Sequence, residues 1–261
     1  MTLLEAMERR HSVRSYTDQP ICGEVLASLE REVRACNTEG GLHIQLVTGE
    51  PEAFRGVLAH YGKFRNVKNY LALVGPGGPS LEERAGYYGE RLVLTAAMLG
   101  LDSCWVALTF RKGKCQYVAR PGEKLVCVIA LGYGEGHGVP HKSKPLEALC
   151  RTEGPMPDWF RRGMEAALLA PTATNQQKFR FTLSGDAVRA ESTGGFYSKV
   201  DLGIVKYHFE VGAGPAAFHW SSPGRCPLPS PPRGAGKRHI LKACFQTSPG
   251  CVCFSLSMSI P

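Results

Sequence analysis

Residues 125–132 read Leu-Val-Cys-Val-Ile-Ala-Leu-Gly, and residues 141–146 read His-Lys-Ser-Lys-Pro-Leu. The first run is apolar without alternation, which predicts a central strand buried on both faces. Four glycines follow it: Gly132, Gly134, Gly136 and Gly138. They open a flexible turn that brings two ammonium groups, Lys142 and Lys144, to the end of a strand, a place suited to anions. A solvated basic loop has the same composition, so the segment alone leaves both readings open.

Upstream, residues 43–48 and 70–75 are short apolar runs bounded by Gly or Pro and predict two more strands. The longest helical pattern covers residues 81–101, with Leu92, Ala96 and Leu99 as its stripe and Gly100 as its stop. Residues 3–10 and 23–35 predict shorter helices, the second with Leu26, Leu29 and Val33 at helical spacing. Downstream, Pro155 and Pro157 mark a linker, and residues 159–170 predict a helix ended by Pro171. Residues 179–184 and 187–192 alternate about Gly185-Asp186, a hairpin signal. Residues 201–211 predict the last helix.

The chain has 261 residues, 43% apolar and 21% charged, which excludes a disordered, collagen-like or coiled-coil protein. The net charge of +8 is uneven. Residues 215–261 hold five bases and no acid, leaving 26 bases against 23 acids in the body, a balance unlike that of a general polyanion binder. Those five charges lack interleaved aromatic residues, so no nucleic-acid partner is expected. The same segment holds eight of the eighteen prolines and predicts disorder. Its abrupt onset after Gly214 also predicts an out-of-frame or otherwise non-native extension. Six of the ten cysteines lie before it without a CxxC pair, which predicts free thiols in a reducing compartment. The N-terminus has no apolar signal core, and residues 243–261 make a poor membrane span, so a soluble cytoplasmic protein is expected.

Three further segments concentrate polar chemistry. Arg10-His11-Ser12-Val13-Arg14-Ser15-Tyr16 crowds guanidinium forks suited to phosphate oxygens, and equally suited to cations at a helix C-terminus. Ala170-Pro171-Thr172-Ala173-Thr174-Asn175-Gln176-Gln177 places hydroxyls and amides before a strand. These groups match the edge of a heteroaromatic ring, or serve as ordinary turn chemistry. Gly86-Tyr87-Tyr88-Gly89 leads into Trp105-Val106-Ala107 by way of a core helix. His137 and His141 are four apart with Pro140 between them and no third ligand, so no metal is expected. Walker A, HExxH, GxSxG and GxGxxG motifs are absent.

Taken in order, these segments resemble the nitroreductase family of FMN-dependent oxidoreductases. Residues 10–16 are similar to its N-terminal basic-Ser-basic-aromatic signature, and residues 86–105 to its central helix. Residues 129–133 with 142–146 are similar to its strand and phosphate-binding segment, and residues 170–177 to its Ala-Pro-Ser-x-x-Asn-x-Gln-Pro motif. The Ala-Pro motif comes unusually late, as in a subgroup whose single chain holds two nitroreductase-like halves. The resemblance therefore implies an α+β fold with a central, mostly antiparallel sheet flanked by helices, arranged as a monomeric internal pseudo-dimer. Residues 1–150 would be the first half and 151–214 the second, completing the flavin site.

By the same resemblance, Arg10, Lys142 and Lys144 would hold the FMN phosphate. Ser12 and Arg14 would face the ribityl chain and pyrimidine edge, with His11 contributing mainly backbone. Trp105, Val106 and Ala107 would lie along the isoalloxazine, and Pro171, Thr172, Ala173 and Asn175 would approach from the second half. NAD(P)H would reduce the flavin, which would pass electrons to a nitroaromatic or quinone-like acceptor in a ping-pong cycle. No side chain is expected to act as an acid or base. A non-catalytic flavin- or ligand-binding protein on the same fold would carry the same motifs. Lys178 stands where the motif has Pro, and Lys144 where Arg is common.

Overall fold

A computed structural model describes residues 1–215 and 218–221 of the chain. Its elements are α1 (Leu3–Arg9), α2 (Gly23–Gly40), β1 (Gln45–Val47), α3 (Val57–Tyr61), β2 (Asn69–Pro76), α4 (Leu81–Met98), β3 (Asp102–Val106), β4 (Glu123–Gly132), α5 (Leu146–Leu149), β5 (Cys150–Thr152), α6 (Asp158–Ala167), β6 (Phe179–Ser184), β7 (Ala187–Ser192), α7 (Ser198–Ala213) and β8 (His219–Trp220). Short as it is, α1 is held by a reciprocal cap. Glu5 N donates to Thr2 Oγ1 at 3.2 Å and Thr2 N donates to Glu5 Oε2 at 2.7 Å.

The expected α+β, mostly antiparallel architecture is divided between two four-stranded sheets. The first has the order β1-β2-β4-β3 and is antiparallel throughout. β4 lies inside it, with Ile129 opposite Leu71 on one side and Trp105 on the other. That position accounts for its unbroken apolar run, because both faces are covered. The second sheet has the order β5-β6-β7-β8, with the expected hairpin β6–β7 at its centre and a parallel strand at each edge.

One boundary differs from the resemblance, which carries the central helix on to Trp105. The helix stops at Met98, Gly100 turns the backbone to φ +83°, and residues 102–106 form β3. A left-handed glycine ends a helix, and Ser-Cys-Trp-Val then suits a pleated strand better than a further turn. A second difference concerns the expected disorder after Gly214, which does not hold for residues 218–221. Phe218 stacks on Trp159 with ring centroids 5.5 Å apart, and Trp220 Nε1 donates to Glu210 Oε1 at 2.6 Å. Proline content describes an average over the segment, whereas two aromatic rings supply enough apolar area to seat four residues. Residues 216–217 and 222–261 lie outside the described residues, and with them the remaining expectation of a disordered or non-native ending. Among the described residues no helix is long and apolar enough to cross a membrane.

The two long helices α4 and α7 cross at glycines. Gly86 sits against the Val200 backbone, and Gly203 sits against the backbone of Glu83 and Tyr87. Absent side chains let the two backbones approach directly. The buried helix α7 thereby carries Val200, Asp201 and Ile204 into the wall of a cavity.

Candidate functional site

The cavity has a volume of about 400 Å³, within the range of small-molecule sites. Its first wall is the strap that follows α1. Ser12 bridges to Ser103, and Val13 N donates to Ser103 O at 3.0 Å, so the strap runs along β3 like a further strand. Alternation along an extended strap puts residues 10, 12 and 14 on one face. Arg10, Ser12 and Arg14 accordingly line the cavity, while Val13 is buried in the core behind them. His11 points the other way and does not line the cavity, and its Nδ1 lies 3.2 Å from His137 O.

The second wall is the end of β3. Trp105, Val106 and Ala107 all line the cavity, and Cys127 joins them from β4. Trp105 Nε1 donates to Glu90 Oε2 at 2.9 Å, which fixes the indole ring. Burial pushes the Cys127 thiol far above its ordinary range, so it is an inert apolar surface there.

The third wall is the loop of Pro171, Thr172, Ala173, Thr174 and Asn175. Three of its neighbouring non-glycine residues are left-handed, Thr174 at φ +51°, Asn175 at +54° and Gln177 at +45°. Such backbone persists only where surrounding bonds over-determine it. Here they do. Gln177 N donates to Thr172 Oγ1 at 3.1 Å, and Gln177 Nε2 donates to Asn175 Oδ1 at 2.9 Å. Asn175 Nδ2 and Gln177 Nε2 both donate to Lys142 O, at 2.9 and 2.8 Å. Asp201 accepts from Ala173 N at 2.9 Å and from Gln176 Nε2 at 2.7 Å. Burial raises the Asp201 carboxyl to about 6, and the two donors only partly oppose that.

Ten of the thirteen expected site residues thus line one cavity. The three residues expected to hold a phosphate are not brought together, however. Lys142 contributes its carbonyl to the loop, and its side chain is absent from the lining. Lys144 Nζ donates to Gln176 O at 2.8 Å and Gln177 O at 3.1 Å, so it staples the loop from behind. The Ala-Pro loop leaves those two carbonyls without ladder partners, and the nearest ammonium is drawn to them. His141 takes the place beside the cavity instead. Its Nε2 lies 2.9 Å from Leu168 O, and burial lowers its pKa below the ordinary imidazole range.

Sequence reasoning missed Asp201, Tyr197, Glu90 and His208. Tyr197 lines the cavity with φ +54°, and its hydroxyl donates to Val126 O at 3.2 Å. Glu90 and His208 are fully buried behind Arg10. A signal exists for Asp201 and His208: α7 is apolar enough to be buried nearly all round, so a polar residue on its buried face requires a partner.

A family model described as "Putative TM nitroreductase" matches residues 2–213. The chain belongs to this nitroreductase family. Among solved structures of similar fold is a "putative nitroreductase" from Thermotoga maritima, 21% identical, with TM-score 0.58, covering 80% of this chain and 82% of that one. A second, from Desulfovibrio desulfuricans in complex with FMN, is 18% identical with TM-score 0.46, covering 60% of this chain and 99% of that one. A third, a nitroreductase family protein from Streptococcus pneumoniae, is 14% identical with TM-score 0.45, covering 56% and 98%. A search of curated proteins finds no match. Family membership rests on the model match. The Thermotoga maritima structure adds that the fold is shared over most of the chain and not at one motif alone.

Proposed function

We propose that this family member is an FMN-dependent oxidoreductase that takes electrons from NAD(P)H and passes them to a nitroaromatic or quinone-like acceptor by a ping-pong cycle. The observation that carries this reading is that one cavity brings Arg10 and Arg14 together with hydroxyl groups and a broad apolar wall. The donor set around the cavity fits a flavin nucleotide, with Arg10 and Arg14 for anionic oxygens, and Ser12 and Thr172 as hydroxyls for carbonyl edges. Trp105, Val106, Pro171 and Ile204 supply apolar wall for a flat ring.

FMN, when bound, supplies the exchange of hydride and electrons, which no side chain here performs. The protein's own work is to orient. Arg10 and Arg14 fix an anionic group by charge, with guanidinium forks that cannot be deprotonated. The left-handed stretch at Thr174 and Asn175 forms one side of the cavity. The reading includes a monomeric pseudo-dimer, supported by the glycine crossing of α4 and α7 and by cavity walls drawn from both 1–150 and 151–214. Free buried thiols at Cys36, Cys104, Cys127 and Cys150 fit a reducing cytoplasm.

The test is direct. The purified full chain is scanned for flavin absorbance, its cofactor is released and identified, and NADH and NADPH oxidation is followed with menadione and nitrofurazone as acceptors. Bound FMN with acceptor-dependent turnover is the expected result. Failure of a folded sample to take up added FMN overturns the assignment. FMN binding without turnover leaves a flavin-binding protein.

A further inference from the structure

Behind the cavity lies a buried chain of polar groups that line no part of it. Glu90 on α4 and His208 on α7 have no exposed side-chain surface. His208 Nε2 lies 2.9 Å from Glu90 Oε1, and His208 Nδ1 lies 3.0 Å from Ala166 O. Trp105 Nε1 donates to Glu90 Oε2, and Arg10 Nε lies 3.8 Å from Glu90 Oε1. The carboxyl therefore touches the two cavity walls that carry Arg10 and Trp105.

The hydrogen-bond inventory constrains the protons. Ala166 O is a carbonyl and only accepts, so His208 Nδ1 carries a hydrogen. Glu90 Oε1 faces the other ring nitrogen. Either His208 Nε2 also carries a hydrogen and the pair is imidazolium with carboxylate, or the carboxyl holds the proton and donates to a neutral ring. Apart from the histidine, Trp105 Nε1 donates to this carboxyl, and the permanent cation Arg10 stands 3.8 Å from it. That arrangement favours the ionised carboxylate. Elsewhere around the pair, Tyr207 follows on from Lys206 of α7 with its phenol pushed up by burial, and His141 lies beside the cavity. Neither is hydrogen-bonded to the pair.

We propose that Glu90 and His208 form a buried ion pair that positions Arg10 and Trp105 at the cavity wall. The pair leaves that wall with one net positive charge, counting Arg10, Glu90 and His208 together, and so selects an anionic ligand. Its protonation and its hold on Trp105 are properties of the free protein. Its effect on affinity rests on the FMN reading above. Glu90 and His208 are positioning residues: neither lines the cavity.

The experiment uses the full chain labelled with nitrogen-15, without added ligand, near neutral pH. Long-range proton–nitrogen spectra report each histidine's ring nitrogens, and His208→Gln assigns the signal. The expected result is two protonated nitrogens in His208. In Glu90→Gln the ring becomes neutral with its hydrogen on Nδ1, because the new amide can donate to Nε2. The Trp105 indole signal, assigned by Trp105→Phe, shifts in Glu90→Gln as it loses a charged acceptor. A neutral His208 in the wild type, or an indole signal unmoved by Glu90→Gln, overturns the proposal. FMN titration then reads the consequence. Glu90→Gln and His208→Gln are expected to weaken FMN about tenfold or more, the scale of outer-shell support at binding sites. Wild-type affinity in both variants overturns the positioning role. Failure of the wild type to bind FMN overturns the flavin reading and the selection it was meant to serve, while the spectra still decide the ion pair. Should Glu90→Gln not fold, His208→Gln keeps a donor toward Glu90 and carries the test alone.

Discussion

Replacing Gly203 by Ala sets two effects of opposite sign against each other. By helix propensity alone the change stabilises α7 by about 1 kcal/mol, since alanine restricts the unfolded chain. The crossing with α4 says otherwise. A Cβ on Gly203 would stand 2.6 Å from Tyr87 N and 2.9 Å from the Glu83 carbonyl carbon, closer still to Glu83 O, where ordinary contact begins at 3.4 Å. These are backbone atoms of a buried helix and cannot swing aside. Relief requires α4 and α7 to part by about 1 Å, and a gap of that size forfeits a quarter to a half of each affected dispersion contact. Overpacking at the upper end of its usual range costs about 3 kcal/mol, so the net loss is about 2 kcal/mol after the propensity gain. Urea unfolding, followed by circular dichroism and tryptophan fluorescence, measures it. Gly78→Ala is the control, because nothing lies within 4 Å of its added Cβ. Since Val200, Asp201 and Ile204 ride on α7, FMN affinity falls along with stability. A Gly203→Ala protein as stable as wild type, or more so, refutes the backbone-contact reasoning.

Three further outcomes follow from the site. Arg10→Lys keeps the charge but loses the planar fork, so FMN affinity measured by calorimetry drops roughly tenfold to a hundredfold, equivalent to about 1.5–3 kcal/mol. Asp201 has a folded value of about 6 against 3.8 for the free side chain, so the folded state binds the proton more tightly and stability falls as pH rises through 6. Going from about pH 7 to about pH 5 its contribution grows by about 1.4 kcal/mol. Asp201→Asn, melted across the same range, lacks that increment, which therefore appears in the wild-type-minus-variant difference curve. Lys144→Met removes the donor to Gln176 O and Gln177 O, so thermal stability falls by about 1–2 kcal/mol together with FMN affinity. A direct phosphate contact would instead lower affinity while leaving the melting temperature in place.

Local regularities were readable wherever one physical preference dominated. The apolar run of β4, the Gly185-Asp186 hairpin between β6 and β7 and the stripe of α4 each follow from burial or turn chemistry within a few residues. The alternation that turns Arg10, Ser12 and Arg14 to one side was likewise present in the chain as spacing, although only the bridge to Ser103 makes that segment extended. The ends of elements were less legible. β3 looked like the tail of a helix because its identity as a strand depends on β4 lying beside it. β8 was hidden inside a proline-rich stretch, since Phe218 and Trp220 matter only through the rings of Trp159 and Phe209 that receive them.

The composition and motif order of this chain determined on their own its α+β class, its family resemblance and most of the residues around one cavity, because those depend on residue type and short-range spacing. The tertiary structure alone decided which polar groups face that cavity. Lys144 and Arg10 are both cations near a proposed anion site, yet one is drawn to Gln176 O and Gln177 O while the other reaches the cavity wall. Glu90 and His208 lie 118 positions apart, and no local pattern links them. They meet only because Gly86 and Gly203 let α4 and α7 approach to backbone contact, and a buried charge must then find its partner across that crossing.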